Sequence, residues 1–201
     1  MIIAIDGPSA SGKGTLGRAL ASKLGYHYLD TGALYRMVGL LVQRGRLDPA
    51  DEEAVTAIAA SLDPSTFQDA ELRGEGVGSY ASKIAALPKV RAALLKFQRD
   101  FAAKQPGSIL DGRDIGTVVC PDADFKFFVT ASVVARAERR FREHPTSDLA
   151  VITADIKARD DRDTNRPVAP LKPAEDAIII DNSDLTPEEA LDAVLAAIAL
   201  Y

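Results

Sequence analysis

The chain has no tryptophan, one cysteine, two methionines and two histidines among its 201 residues. A single thiol, Cys120, excludes an internal disulfide framework and suits a reducing compartment such as the cytoplasm. Cys120 reads as a small buried hydrophobe. His27 and His144 stand far apart, with no cysteine or acidic neighbours at ligand spacing. They read as a strand residue and a loop residue, and no metal-site pattern is present. No apolar run approaches the length of a membrane span. A secretory leader is not expected either: the first predicted strand begins at residue 2 and contains Asp6. An excess of basic charge is also missing. A net charge of −5 and a pI near 5.1 argue against general nucleic-acid binding. What remains is an acidic chain that is 47% apolar, enough for a core. With no large apolar stripe left over, one domain over residues 1–201 and a monomer are expected.

The strongest pattern lies at the N-terminus. Ile2, Ile3 and Ile5 form an apolar, β-branched run that reads as a buried strand. The run breaks at Gly7, and Gly12-Lys13-Gly14-Thr15 opens a helical segment whose apolar residues are Leu16, Ala19, Leu20 and Leu24. Strand, glycine-rich loop and helix form the context a phosphate-binding P-loop needs. Gly7, Gly12 and Gly14 have no Cβ in the way, so the loop Gly7-Pro8-Ser9-Ala10-Ser11-Gly12-Lys13-Gly14-Thr15 can curl backbone N–H groups around phosphate oxygens. The helix N-terminus adds partial positive charge, and Lys13 adds a mobile full charge. The segment is predicted to bind the phosphates of a nucleoside triphosphate. The strict motif has Ser or Thr directly after the lysine, to ligate magnesium. Here Gly14 stands there and the hydroxyl comes one later, at Thr15. This GKGT form resembles the nucleoside monophosphate kinases more than the GTPases or motor ATPases.

Strand-like and helix-like segments then alternate, which predicts an α/β fold around a five-stranded, mainly parallel sheet. Further strands are expected at 26–30, 108–110, 125–129 and 177–180. Helices are expected at 31–43 with Thr31 as the cap, at 51–61, from Pro88 to about residue 104, at 132–142 and at 152–165. Thr186-Pro187-Glu188-Glu189 is a capping box that starts a last helix. Its stripe of Leu191, Val194, Leu195 and Ile198 reads as core packing. Residues 64–79 follow no period, because Pro64, Gly74, Gly76 and Gly78 break it. Such sheets bind ligands at the carboxyl ends of their strands. The clusters 7–15, 31–36 and 111–114 all fall there.

Fifteen arginines outnumber nine lysines. Arginine's planar fork binds phosphate bidentately and keeps its charge. Arg159, Arg162, Asp163 and Arg166 are spaced to share one helix face, and Arg136, Arg139 and Arg140 make a second. One reading is a solvated surface laced with ion pairs. The other is a set of cations that neutralise a transferring phosphoryl group, with the proline-bearing loop 143–151 as a lid that excludes water. Asp111 ends an apolar strand and is a candidate to hold magnesium, directly or through water. Both Asp111 and Asp114 equally suit a tight turn.

The segments IDGPSASGKGT, YLDTGALYR, ALPKVRAALLKFQR, DGRDIGTVVCPDADFKFFVTAS, RAERR and IKARDDRDTNRPVAPLKPAEDA together resemble the bacterial cytidylate kinases over nearly the whole length. DGRDIGTVV and RDDRDTNRPVAPL are more specific than the P-loop. The resemblance implies a three-layer P-loop fold with a monophosphate-binding region, here 31–105, and a lid. It implies magnesium-dependent phosphorylation of CMP and dCMP by ATP. Lys13, Asp111, Arg113 and Arg159 would be catalytic. Thr31, Arg36, Arg113 and Arg166 would hold the acceptor's phosphate. Arg159 and Asp163 would meet the ribose. Ser82, Arg91 and Asp114, with Arg166, would read the cytosine. Thr31 stands where the family usually has serine, and both keep a hydroxyl. Residues 64–79 are short for the family's β-containing insertion and could form only part of it.

Two other readings share some of these features. A P-loop kinase of another small metabolite, of the shikimate kinase kind, has the loop and a lid but does not require RDDRDTNR or DGRDIGTVV. A nucleotide-dependent switch would want the guanine-reading pattern NKxD, which is absent.

Overall fold

Strand β1 (Ile2–Asp6) is the middle strand of a five-stranded sheet, and its Ile3, Ala4 and Ile5 are fully buried. A strand covered on both faces reads as a continuous apolar run rather than an alternating one. The computed structural model describes every residue except 69, 74–76, 144, 146 and 201. After β1 come α1 (Lys13–Leu24), β2 (His27–Asp30), α2 (Thr31–Arg44), α3 (Glu52–Ala60), α4 (Val77–Ile84), α5 (Pro88–Ala102) and β3 (Ser108–Gly112). The chain continues with β4 (Phe125–Thr130), α6 (Val133–Glu143), α7 (Leu149–Asn165), β5 (Ile178–Asp181) and α8 (Pro187–Ala199). The sheet order is β2-β3-β1-β4-β5. β1 runs parallel to β3, with Asp6 opposite Gly112, and parallel to β4, while β4 runs parallel to β5. The predicted α/β parallel sheet is present. The strand order switches at β1, so the carboxyl ends of β1 and β3 lie where such sheets bind ligands.

Contacts divide the chain into two compact units, Met1–Leu29 with Phe101–Tyr201, and Asp30–Asp100. The first is built on Ile3, Ile5, Leu20, Ile109, Phe127 and Val194, with Leu191, Leu195 and Ile198 packed alongside. The stripe on α8 is therefore core. Its capping box is complete: the Glu189 N–H donates to Thr186 Oγ1 at 3.2 Å and the Thr186 N–H to Glu189 Oε2 at 2.8 Å. Cys120 is buried. The second unit has its own core, with Val38, Val42, Val55, Ile84 and Val90 fully buried.

Several local expectations are corrected. Asp30, not Thr31, caps α2: its Oδ1 accepts from the Ala33 N–H at 3.1 Å. Aspartate is among the best N-caps, and Thr31 becomes the first helical residue. The described part of 64–79 contains 3₁₀ turns at Pro64–Thr66 and Glu71–Arg73 and the start of α4. Buried Val77, Ala81 and Ile84 fall at helical spacing on α4, and Gly78 hid that period. α7 starts at Leu149, capped by Asp148, so the expected lid loop 143–151 loses Glu143 to α6 and its last residues to α7. His144 lies outside the described residues. α7 ends at Asn165. Arg166 is extended (φ −63°, ψ 138°), because Pro167 disfavours the helical region for the residue before it. It therefore does not continue the helix face of Arg159 and Arg162. A π-helical turn at Ile115–Val119 has no counterpart among the sequence expectations.

Candidate active site

β1 delivers the chain to a turn that only glycine tolerates. At Gly7 (φ +154°) a Cβ would lie 2.0 Å from the Val129 carbonyl oxygen, and at Gly12 (φ +93°) 2.3 Å from Asn182 Nδ2. The carbonyls of the loop are held by side chains from α6 and the end of β5. Arg136 Nη1 donates to the Ser9 carbonyl at 3.2 Å. The Ser11 carbonyl accepts from Asn182 Nδ2 at 2.7 Å and from Arg139 Nη1 at 3.3 Å. With these carbonyls engaged by side chains, the loop's N–H groups are available to an anion. α1 starts at Lys13 with no side-chain cap at Gly12, so its first amides and its dipole can serve the same anion. Lys13 lies against the loop, with Nζ 3.5 Å from the Pro8 carbonyl oxygen. Thr15 is exposed on the first turn.

The glycine that displaced the hydroxyl has a structural reason. A Cβ at Gly14 would sit 3.3 Å from Asp111 Oδ2, and one at Gly17 would sit 2.8 Å from the Tyr28 ring. These two glycines let a buried carboxylate and a tyrosine dock on the start of α1. Asp111 is 2% exposed and accepts a hydrogen bond from the Tyr28 hydroxyl.

The end of β3 meets the end of α7 through two arginine–aspartate pairs. Arg113 Nε donates to Asp163 Oδ2 at 2.9 Å, and Arg159 Nε lies 3.8 Å from the same oxygen. Arg166 Nη2 donates to Asp114 Oδ1 at 3.0 Å, and its Nε donates to the Ala169 carbonyl. The first unit thus brings together Arg113, Asp114, Arg159, Asp163 and Arg166. Thr31, Arg36, Ser82 and Arg91 belong to the second unit. There Thr31 and Ser82 are buried, and Arg36 pairs with Asp30 at 2.5 Å. Arg91 donates to the Ala85 carbonyl at 3.3 Å, with its guanidinium 5.9 Å from the Tyr35 ring centroid.

The second arginine face divides. Arg136 is buried and pairs with Asp160 at 2.6 Å, Arg139 holds the P-loop, and Arg140 makes an exposed pair with Glu143 at 3.4 Å. Sequence reasoning missed Tyr28, Asn182 and Asp6 at this site. Only Asp6 carried a signal, as an acid closing an apolar strand. Burial, aided by the Asp114 charge, pushes its carboxyl up to about 7 against the opposing pull of the Gly116 and Ile115 amides and Arg113.

The family model for cytidylate kinase matches residues 3–200. The chain is 54% identical over 204 residues to the cytidylate kinase of Paramagnetospirillum magneticum, covering 98% of this chain and 97% of that protein. It is 54% identical over 200 residues to the cytidylate kinase of Nitrobacter winogradskyi, covering 98% and 94%. Among solved structures, an uncharacterized protein from Eubacterium ventriosum aligns with a TM-score of 0.58 at 15% identity, covering 100% and 99%. A gluconokinase from Sinorhizobium meliloti aligns with a TM-score of 0.52 at 15% identity, covering 99% and 91%. At that identity the likeness is one of fold. The P-loop and both arginine–aspartate pairs lie inside the span matched by the family model, and the chain belongs to the cytidylate kinase family.

Proposed function

We propose that this chain transfers the γ-phosphoryl group of ATP to CMP and dCMP, giving CDP and dCDP in pyrimidine nucleotide metabolism. The observation that carries the reading is the family match over residues 3–200. Loop 7–15 holds the ATP phosphates, with Lys13 at the outer ones. An oxygen of the acceptor's phosphate attacks the γ-phosphorus in line and ADP leaves. No protein nucleophile is required, so positioning and charge stabilisation do the catalysis. Thr31, Arg36, Arg113 and Arg166 hold the acceptor's phosphate. Arg159 and Asp163 meet its ribose. Ser82, Arg91 and Asp114 read the cytosine, whose amino group is a donor for a carboxylate. A site built to pair those edges rejects a base that leaves them unpaired, by up to roughly 10⁴-fold.

Magnesium fits the oxygens at the start of α1. The Asp111 carboxylate lies where a Gly14 Cβ would crowd it, and the Thr15 hydroxyl follows. One or two such oxygens beside substrate phosphates are what this ion takes. Bound with ATP, it would neutralise phosphate charge. The monophosphate-binding region, 31–105, falls largely in the unit Asp30–Asp100, and the segment 143–151 that joins α6 to α7 acts as the lid. The enzyme works as a cytoplasmic monomer on small nucleotides. A kinase of the shikimate kind is not favoured, since it needs neither DGRD nor the arginine–aspartate helix. Incubation with ATP, magnesium and CMP tests the reading by resolving the nucleotides formed. Equimolar ADP and CDP are expected, and ADP without CDP would contradict it.

A further inference from the structure

Asp6 has no task in the reaction as described. It closes β1 directly before the P-loop and is only 4% exposed. A carboxylate so placed is costly unless it is hydrogen-bonded. Both of its oxygens accept from successive backbone amides: Ile115 N–H to Oδ1 at 2.8 Å and Gly116 N–H to Oδ2 at 2.8 Å. Those amides open the π-helical turn Ile115–Val119, whose N-cap residue is Asp114. The first N–H groups of a helical turn need an acceptor, and an aspartate at the N-cap normally supplies it. Asp114 makes no such side-chain bond. Its carboxylate accepts from Arg166 instead. The cap therefore comes from another strand. The β1–β3 register sets Asp6 opposite Gly112, so this link ties the strand that leads into the P-loop to the strand that leads into Arg113 and Asp114. Isolated π turns gather at functional positions.

We propose that Asp6 is a positioning residue. By capping the turn in Asp114's place, it fixes Arg113 and Asp114 relative to the P-loop and commits the Asp114 carboxylate to Arg166 and the acceptor's base. This rests on the assignment of Arg113 and Asp114 to the acceptor.

Asp6→Asn tests it. The amide is nearly isosteric but offers one acceptor oxygen to two N–H donors. The wild type is assayed first. Failure to phosphorylate CMP there overturns the assigned reaction, whereas the variant's change relative to wild type tests Asp6. In the variant, kcat/KM for CMP is expected to fall roughly ten- to a hundredfold and the preference for CMP over UMP to narrow. The KM for ATP should stay within about twofold. Unchanged CMP kinetics and selectivity, or equal weakening toward both substrates, overturn the proposal. Should the variant not fold, amide hydrogen exchange on the wild-type protein decides. Protection of Ile115 and Gly116 comparable to that of the β3 amides supports the cap, and exchange at exposed-loop rates overturns it.

Discussion

Arg113 donates from Nε to Oδ2 of Asp163 across 2.9 Å, although fifty residues separate them in the chain. The Asp163 side chain is 5% exposed and that of Arg113 14%. Arg159 lies 3.8 Å from the same oxygen. One carboxylate therefore hydrogen-bonds the Arg113 guanidinium and lies within ion-pair range of that of Arg159. Asp163→Ala leaves both beside a lost anion and should cost about 3 kcal/mol of stability, read by denaturant unfolding. The KM for CMP should rise about tenfold or more while that for ATP moves little. Equal weakening toward both substrates would count against the assigned role.

Lys13 stands at the first position of α1 against the loop backbone. Lys13→Ala should lower kcat by about 10²–10³, because it removes a full charge aimed at the transferring phosphoryl group. The variant should melt close to the wild type, since Lys13 is only partly buried. A large loss of melting temperature alongside the lost rate would show a structural role instead.

Tyr28→Phe removes the hydroxyl that bonds Asp111. The expected stability cost is about 1 kcal/mol. The functional consequence should be a higher magnesium concentration for half-maximal rate, because Asp111 loses the group that orients it. A magnesium titration checks this, and an unshifted midpoint would separate Asp111 from the metal.

Asp6 makes stability depend on pH in a defined direction. Its carboxyl is raised from 3.8 to about 7 by burial. Between these values the folded state binds a proton that the unfolded state has released. The stability this group contributes is therefore full below the lower value, falls as pH rises through the window, and is gone above the upper one. Asp6→Asn, which cannot titrate, should flatten the unfolding free energy between about pH 4 and pH 7. Chemical denaturation at several pH values measures the slope, and an identical slope in both proteins would contradict the assignment.

The sequence carried the parts that are local. β1, the glycine loop, the start of α1 and the Thr186–Glu189 capping box depend on neighbours within a few residues, and their spacing shows it. Tyr28 to Asp111, Asp6 to Ile115 and Asn182 to Ser11 span 83, 109 and 171 residues. No period encodes such pairs, because the sheet order creates them. α4 escapes a sequence reading because Gly78 masks the helical spacing of Val77, Ala81 and Ile84. Arg166 shares a motif with Arg159, yet Pro167 takes it off the helix. Its pairing with Asp114 comes from the chain turning back, not from helix periodicity.

A coupled assay with ATP and, in parallel, CMP, dCMP, UMP, AMP, GMP and shikimate tests the phosphoryl acceptor most directly. Rapid turnover of CMP and dCMP, with the other acceptors far slower, is the predicted result. No turnover of either CMP or dCMP, or faster turnover of shikimate or a purine monophosphate, would contradict it.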